Sequence, residues 1–303
     1  MIGIPASAAA LGAGQALAHP APAPVHINPG SEHVTYGHDL VVSGAEAPAD
    51  AGNTVVLQFA AHGASAWSDV SSTTVGGDGR FRLSALLGRS GEVRALDTSS
   101  GVLTAFVAGP DAGATEPMSS TVPVDVEAAM RVRARRIAVL AGQTVRIRGS
   151  LLPAEAGRRV SLQARQNGAW RTLTTARTGS AGRFVLRYVT GSAGHEPIRV
   201  RFAGDQLNGR VTVRAGDMTV YREAEASWYN DAGDTACGFH AFYGVANRTL
   251  PCGTTVSFRY NGRSVTATVD DRGPYVGGRD WDLNQNTAGA LGFGGVGTVW
   301  SSQ

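Results

Sequence analysis

The strongest constraint on this chain is an internal repeat, because two copies of one pattern must fold as two copies of one architecture. Gly37-His38-Asp39-Leu40-Val41-Val42-Ser43-Gly44 returns as Gly142-Gln143-Thr144-Val145-Arg146-Ile147-Arg148-Gly149. Pro48-Ala49-Asp50-Ala51-Gly52 returns as Pro153-Ala154-Glu155-Ala156-Gly157, Ala66-Trp67 as Ala169-Trp170, and Gly79-Arg80-Phe81 as Gly182-Arg183-Phe184. The offset is 105 residues early in the copies and 103 late, so one short loop differs by two residues. The copies span residues 25–127 and 128–215.

Within each copy apolar and polar residues alternate, as in Val145-Arg146-Ile147-Arg148, Phe184-Val185-Leu186-Arg187-Tyr188 and Ile198-Arg199-Val200-Arg201-Phe202. Period two, with turn residues between the runs, predicts half-buried antiparallel strands. Copies of this length and spacing predict tandem β-sandwiches of immunoglobulin type, although neither carries a Cys…Trp…Cys signature. They resemble the bacterial Ig-like modules found beside exported cell-wall enzymes. His26, His33, His38 and His62 are scattered and read as loop histidines, and no metal site is expected.

Charge separates the copies. Residues 25–127 carry four Arg against twelve acids, and residues 128–215 carry seventeen Arg against three. Residues 216–303 carry six Arg against nine acids, which leaves +3 for the whole chain. There is no lysine, a usage read as codon bias. Arg146, Arg148, Arg199 and Arg201 alternate with apolar residues and are expected to line one solvent face. Two readings of that face stand: a solvated or acid-docked surface, and adhesion to an anionic wall polymer or phospholipid through Arg–phosphate contacts. No aromatic interleaving or reading motif accompanies the charge, which argues against nucleic acid as a partner.

Residues 1–18 are small and apolar and end Ala16-Leu17-Ala18 before His19-Pro20. This reads as the remnant of a signal peptide followed by a Pro/Ala linker to residue 24, and predicts a secreted or wall-located protein. No other stretch reaches the roughly 18 apolar residues of a membrane span. The only cysteines, Cys237 and Cys252, are expected to form a disulfide, since two Cys alone rarely hold a metal. Residues 215–222 are expected to be a hinge into a last domain, 216–303.

That last domain holds Ala226-Ser227-Trp228-Tyr229, Thr235-Ala236-Cys237-Gly238, Asn247-Arg248-Thr249-Leu250-Pro251-Cys252-Gly253-Thr254 and Asn261-Gly262-Arg263-Ser264-Val265. Val269-Asp270-Asp271-Arg272-Gly273-Pro274-Tyr275, Asp282-Leu283 and Ala288–Gly292 follow. In this order and spacing they resemble the double-psi β-barrel of the RlpA (rare lipoprotein A) family and, more distantly, the first domain of expansins. The resemblance covers about a quarter of the chain. It implies a six-stranded barrel with a groove for cell-wall glycan. It also implies lytic transglycosylase activity on peptidoglycan strands, with no cofactor. The whole chain is thus expected to be all-β, two sandwiches followed by this barrel.

The residues fit that chemistry. Cleaving a glycosidic bond needs an acid at the leaving oxygen. In lytic cleavage the sugar's own 6-hydroxyl closes onto C1, so one carboxylate can act first as acid and then as base. Asp271, ahead of the rigid Arg272-Gly273-Pro274 turn, is the expected acid/base. Asp282 is its expected support, as the expansin likeness also implies, or else the cap of a helix from Asn284 to Leu291. Asp270 is expected to point the other way. Trp228, Tyr229 and Tyr275 are candidate sugar-stacking residues, and Asn247, Arg272 and His240 are candidate glycan contacts.

Two departures from the family pattern stand out. Asn247 occupies a place where members usually carry His, and an amide cannot shuttle a proton. The acid usual after Thr235-Ala236 has no equivalent, though His240 lies nearby to stand in for it. A non-catalytic wall-binding or expansin-like loosening protein is therefore the alternative function. A protein-interaction module on the same scaffold is a third, because fold does not fix function.

Overall fold

A computed structural model describes residues 25–99, 117–133 and 136–303, and the leader-like segment and Pro/Ala linker lie outside the described residues. The first repeat contributes β1 (His26–Pro29), β2 (His33–Thr35), β3 (Asp39–Ala45), β4 (Thr54–Ala61), β5 (Ser68–Thr74), β6 (Arg80–Leu86), β7 (Gly91–Asp97) and β8 (Val122–Glu127). The second contributes β9 (Ala129–Val132), β10 (Ile137–Leu140), β11 (Thr144–Leu152), β12 (Arg159–Gln166), β13 (Ala169–Arg177), β14 (Arg183–Val189) and β15 (Gly194–Phe202). There follow β16 (Val211–Tyr229), β17 (Gly244–Ala246), β18 (Thr255–Tyr260), β19 (Arg263–Asp271), β20 (Trp281–Asn284), α1 (Gln285–Leu291) and β21 (Gly297–Ser301). The described residues are all-β apart from α1 and one 3₁₀ turn at Pro48–Asp50.

The described residues divide into two compact units, one within 25–32, 39–86, 91–99 and 117–124 and the other within 33–38, 87–90, 125–133 and 136–303. In the first unit β3 lies between β1 and β6, and β4 lies between β5 and β7. Alternation buries one face of each sheet: Leu40 and Val42 on β3, Phe81 and Leu83 on β6, Val55 and Leu57 on β4, Val93 and Ala95 on β7. In the second unit the β14-β11-β9 sheet shares one core with the sheet β13-β12-β15-β16. Val145, Ile147, Leu151, Phe184 and Leu186 come from the first of these sheets, and Val160, Leu162, Ile198, Val200, Phe202 and Met218 from the second.

The repeat is visible at atomic scale. Gly44 lies against the Phe81 ring and Gly149 against the Phe184 ring, where an added Cβ would come within 2.0 and 2.5 Å. Arg94 stacks on Trp67 and Arg199 on Trp170, each 4.1 Å from the ring centre. Both guanidinium groups donate from Nε to a glutamine, Gln58 at 2.9 Å and Gln163 at 2.8 Å. The offset changes in one hairpin, where the turn is four residues shorter in the second copy and β13 starts two residues earlier relative to Trp170 than β5 does relative to Trp67, a net difference of two. Asn167 and Gly168, with φ of 50° and 79°, make a tight turn after β12, where the first copy has six residues between β4 and β5.

The arginines differ from expectation. Arg146 and Arg148 lie on β11, whereas Arg199 and Arg201 lie on β15 in the other sheet. Both pairs point away from the shared core, so they occupy two faces rather than one. The expected hinge at 215–222 is also absent, because those residues lie inside β16. The first half of that strand pairs with β15 and β10, and its second half with β21 and β20. Gly216, at φ 100°, sits at a register shift against Ile198/Arg199 and bends the strand without ending it.

The C-terminal strands close a ring in the order β16-β20-β17-β19-β18-β21, with β21 returning to β16. The β16–β20 and β17–β19 pairs are parallel and the other four antiparallel. Closure leaves no free edge, and the interior is filled by Ala226, Val245, Phe258, Val269, Trp281, Leu283 and Val299, with Leu291 and Phe293 sealing one end. Phe258 meets Trp281 edge to face with ring centres 5.1 Å apart.

Candidate functional site

The site forms where β16, β17, β19 and β20 end beside one another. β17 lies between β19 and β20, and Ala246 is opposite Asp271 on one side and Asp282 on the other. Two interstrand spacings place those aspartate Cα atoms roughly 10 Å apart. Ser227 is opposite Asp282 on the remaining flank.

Asp271 is half-buried, and its Oδ1 is fixed by two amides, Ala236 N–H and Arg272 N–H, both at 2.8 Å. Its second oxygen takes no hydrogen bond from the described residues. The Ala236 amide is delivered by the Cys237–Cys252 disulfide, which forms as expected with the Cα atoms 5.8 Å apart. Gly273 follows at φ 138°, a conformation suited to glycine.

Asp270 points the other way and is fully buried. Its carboxylate accepts the amides of Ala241 at 2.8 Å and Val245 at 3.1 Å. Burial pushes its pKa up and the Asp231 charge adds to this, while the amides oppose both. Gly244 is required here, because a Cβ would lie 2.2 Å from the Asp270 carboxylate. Asp270 therefore ties the 241–245 segment to β19.

Asp282 accepts a hydrogen bond from Ser227 Oγ at 2.8 Å, and Arg279 donates to that same Oγ at 3.0 Å. Burial raises the Asp282 pKa above the ordinary carboxylate value, with the Asp271 charge pushing the same way and Ser227 and Arg279 opposing. Asp282 does not cap α1. Asn284 does, accepting the Thr287 amide at 2.9 Å, so α1 begins one residue later than expected. Tyr229 points to the same side as Ser227. Its hydroxyl is buried without a hydrogen-bond partner, and its pKa is raised by burial first and then by Asp270, Asp231, Asp271 and Asp282.

Three expected contacts are placed differently. The Asn247 side chain is used by its own loop: Oδ1 accepts the amides of Thr249 at 3.0 Å and Leu250 at 2.9 Å, and Nδ2 donates to the Asp280 carbonyl at 3.3 Å. It caps the turn of its own loop. Arg272 donates to the Asn247 carbonyl at 3.1 Å and to Cys252 Sγ at 3.0 Å, so it braces this loop rather than the acids. Trp228 is 46% exposed but lies on the opposite face of β16 from Tyr229, so the two cannot form one stacking platform.

Tyr275 is 82% exposed just beyond the Asp271 turn, free to meet a ligand. His240 pairs with Asp231 at 3.1 Å in a cavity of about 620 Å³ also lined by Asp234, Phe242, Gln285 and Asn286. Asp231 and the exposed aromatics Phe239, Phe242 and Tyr243 escaped the sequence reading. Three aromatics in five residues after Cys237, in a segment without strand alternation, were the signal available for them.

Residues 221–300 match the family model described as lytic transglycolase. The chain is 48% identical over 132 residues to a probable endolytic peptidoglycan transglycosylase RlpA of Synechocystis sp., a match covering 38% of each protein. It is 37% identical over 108 residues to a protein of the same name from Aquifex aeolicus, covering 31% of this chain and 47% of that one. The chain thus spans less than half the length of these curated relatives.

Proposed function

We propose, from the premise that residues 221–300 are a double-psi β-barrel of the RlpA-like family, that this domain is a lytic transglycosylase acting on peptidoglycan glycan strands. The observation that carries the reading is the Asp271 carboxyl, held through one oxygen by two amides with the other oxygen left for a ligand. Protonated Asp271 gives its proton to the glycosidic oxygen as the C1–O bond breaks. The 6-hydroxyl of the same sugar then bonds to C1 and returns a proton to the carboxylate. The products are a 1,6-anhydro end and a free 4-hydroxyl, and neither water nor a cofactor is consumed. Asp282, whose pKa burial pushes up, lies across Ala246 from Asp271 and is the supporting carboxyl. Tyr275 offers an exposed face on which a sugar ring can stack.

A wall substrate implies export, in keeping with the Cys237–Cys252 disulfide. No helix among the described residues is long and apolar enough to cross a membrane. The test is digestion of peptidoglycan stripped of its stem peptides. Asp271→Asn is expected to slow release of anhydro-ended fragments about 10²–10⁴-fold, the usual contribution of a positioned acid/base, while binding persists. Binding without any such fragments from the wild type would favour the second reading, a wall-binding or expansin-like loosening protein. The use of Asn247 as a turn cap, where a proton-shuttling residue is usual, favours that reading.

A further inference from the structure

The outer face of the β14-β11-β9 sheet carries Arg131, Arg146, Arg148, Arg183 and Arg187, all exposed. Arg146 lies directly opposite Arg187, and Ser150 lies opposite both Arg183 and Arg131. The arginines thus form two cross-strand rows roughly 14 Å apart, with Arg148 between them. The three strands contain no acidic residue. No ion pair or side-chain hydrogen bond engages any of the five among the described residues.

The opposite sheet also sets Arg159 against Arg177 and Arg199 against Arg214, but its strands carry the acids Glu196 and Asp217 and several of its arginines have partners. Its Arg199 is stacked on Trp170 and bonded to Gln163, Arg177 donates to the Gly157 carbonyl, and Arg214 pairs with Asp217. Like charges directly opposite one another across a strand pair are unfavourable. A face that keeps Arg146 against Arg187 with no counter-ion is arranged for an anion supplied from outside.

We propose that this sheet face docks a linear phosphodiester polymer, an anionic polyol-phosphate chain of the kind a wall can carry. Charge complementarity is the first argument, and the guanidinium fork, which suits phosphate oxygens, is the second. The face is strand-borne and open rather than pocketed, which suits a chain that lies along it. Its exposed apolar residues are only Val185 and Val189, with no aromatic or leucine wedge to enter a bilayer. The choice of a wall polymer rests on the wall location proposed above, while none of these residues belongs to the barrel site.

The test uses the full chain, with poly(glycerol phosphate) as the probe and a neutral chito-oligosaccharide, phosphatidylglycerol-containing vesicles and single-stranded DNA as comparators. Wild type is expected to bind poly(glycerol phosphate) in preference to the others, with affinity falling steeply as salt rises. Arg146→Gln/Arg187→Gln is expected to weaken binding at least about tenfold and flatten the salt dependence. Arg159→Gln/Arg201→Gln removes equal charge from the other sheet and is expected to change binding less than about twofold. Digestion of denuded peptidoglycan by the first variant is expected to match wild type, which separates this proposal from the barrel's activity. No polymer binding at low salt, equal losses in the two variants, preference for vesicles or DNA, or a parallel loss of digestion would each overturn it.

Discussion

At position 247 the side chain serves its own loop, so its substitution should be felt in stability rather than in chemistry. Asn247→Ala leaves the Thr249 and Leu250 amides without their acceptor. It is expected to cost about 1–3 kcal/mol in thermal denaturation, with Asn247→Asp, which keeps the acceptor, costing less. In the first unit, both Glu46 carboxylate oxygens are buried without hydrogen-bond partners, and burial followed by the Asp97 and Asp50 charges raises its pKa to about 7. The folded state therefore holds this proton more tightly than the unfolded chain, whose value is about 4.5. The associated stability is full below that lower value and is lost as pH rises to about 7. Glu46→Gln is expected to remove this slope from unfolding measured across that window. Asp271 was legible in the sequence because its motif is local, a strand end before a rigid turn. The cap made by Asn247 was not, because it depends on where the 247–250 loop folds back on its own amides.

At the scale of elements, the disulfide does two things at once. It closes a loop between residues 15 apart, worth roughly 3 kcal/mol in the chain-entropy model, and it seats the Ala236 amide on Asp271. Replacing both cysteines with serine is expected to lower stability by about that amount and to reduce kcat for glycan cleavage more than it raises KM. Equal activity at a temperature where the variant stays folded would contradict the positioning role. The strands themselves were readable from period-two alternation, which reports burial directly. Which arginines share a face was not readable, because alternation tells in from out but not which sheet a strand joins. Arg146 and Arg199 have the same local pattern and end on opposite sheets.

For the whole molecule, the second sandwich and the barrel are joined through one strand. Glycine and charge at Gly216-Asp217 read as a hinge, yet β15 and β10 pair with β16 right across that stretch. Thr219→Pro would remove a donor where β16 is flanked on both sides, opposite His195 and Ala138. It is expected to destabilise the second unit by about 1–3 kcal/mol and to open residues 215–222 to limited proteolysis, which wild type should resist there. The order of the motifs made the barrel legible, whereas the continuity of β16 depends on pairing partners that are distant in sequence.

The most direct measurement of the central claim is digestion of denuded peptidoglycan in H₂¹⁸O, read by mass spectrometry of the new ends. If Asp271 drives intramolecular closure, wild type yields 1,6-anhydro ends without ¹⁸O, and Asp271→Asn yields almost none. Reducing ends carrying ¹⁸O, or anhydro ends released equally by the variant, would contradict the account.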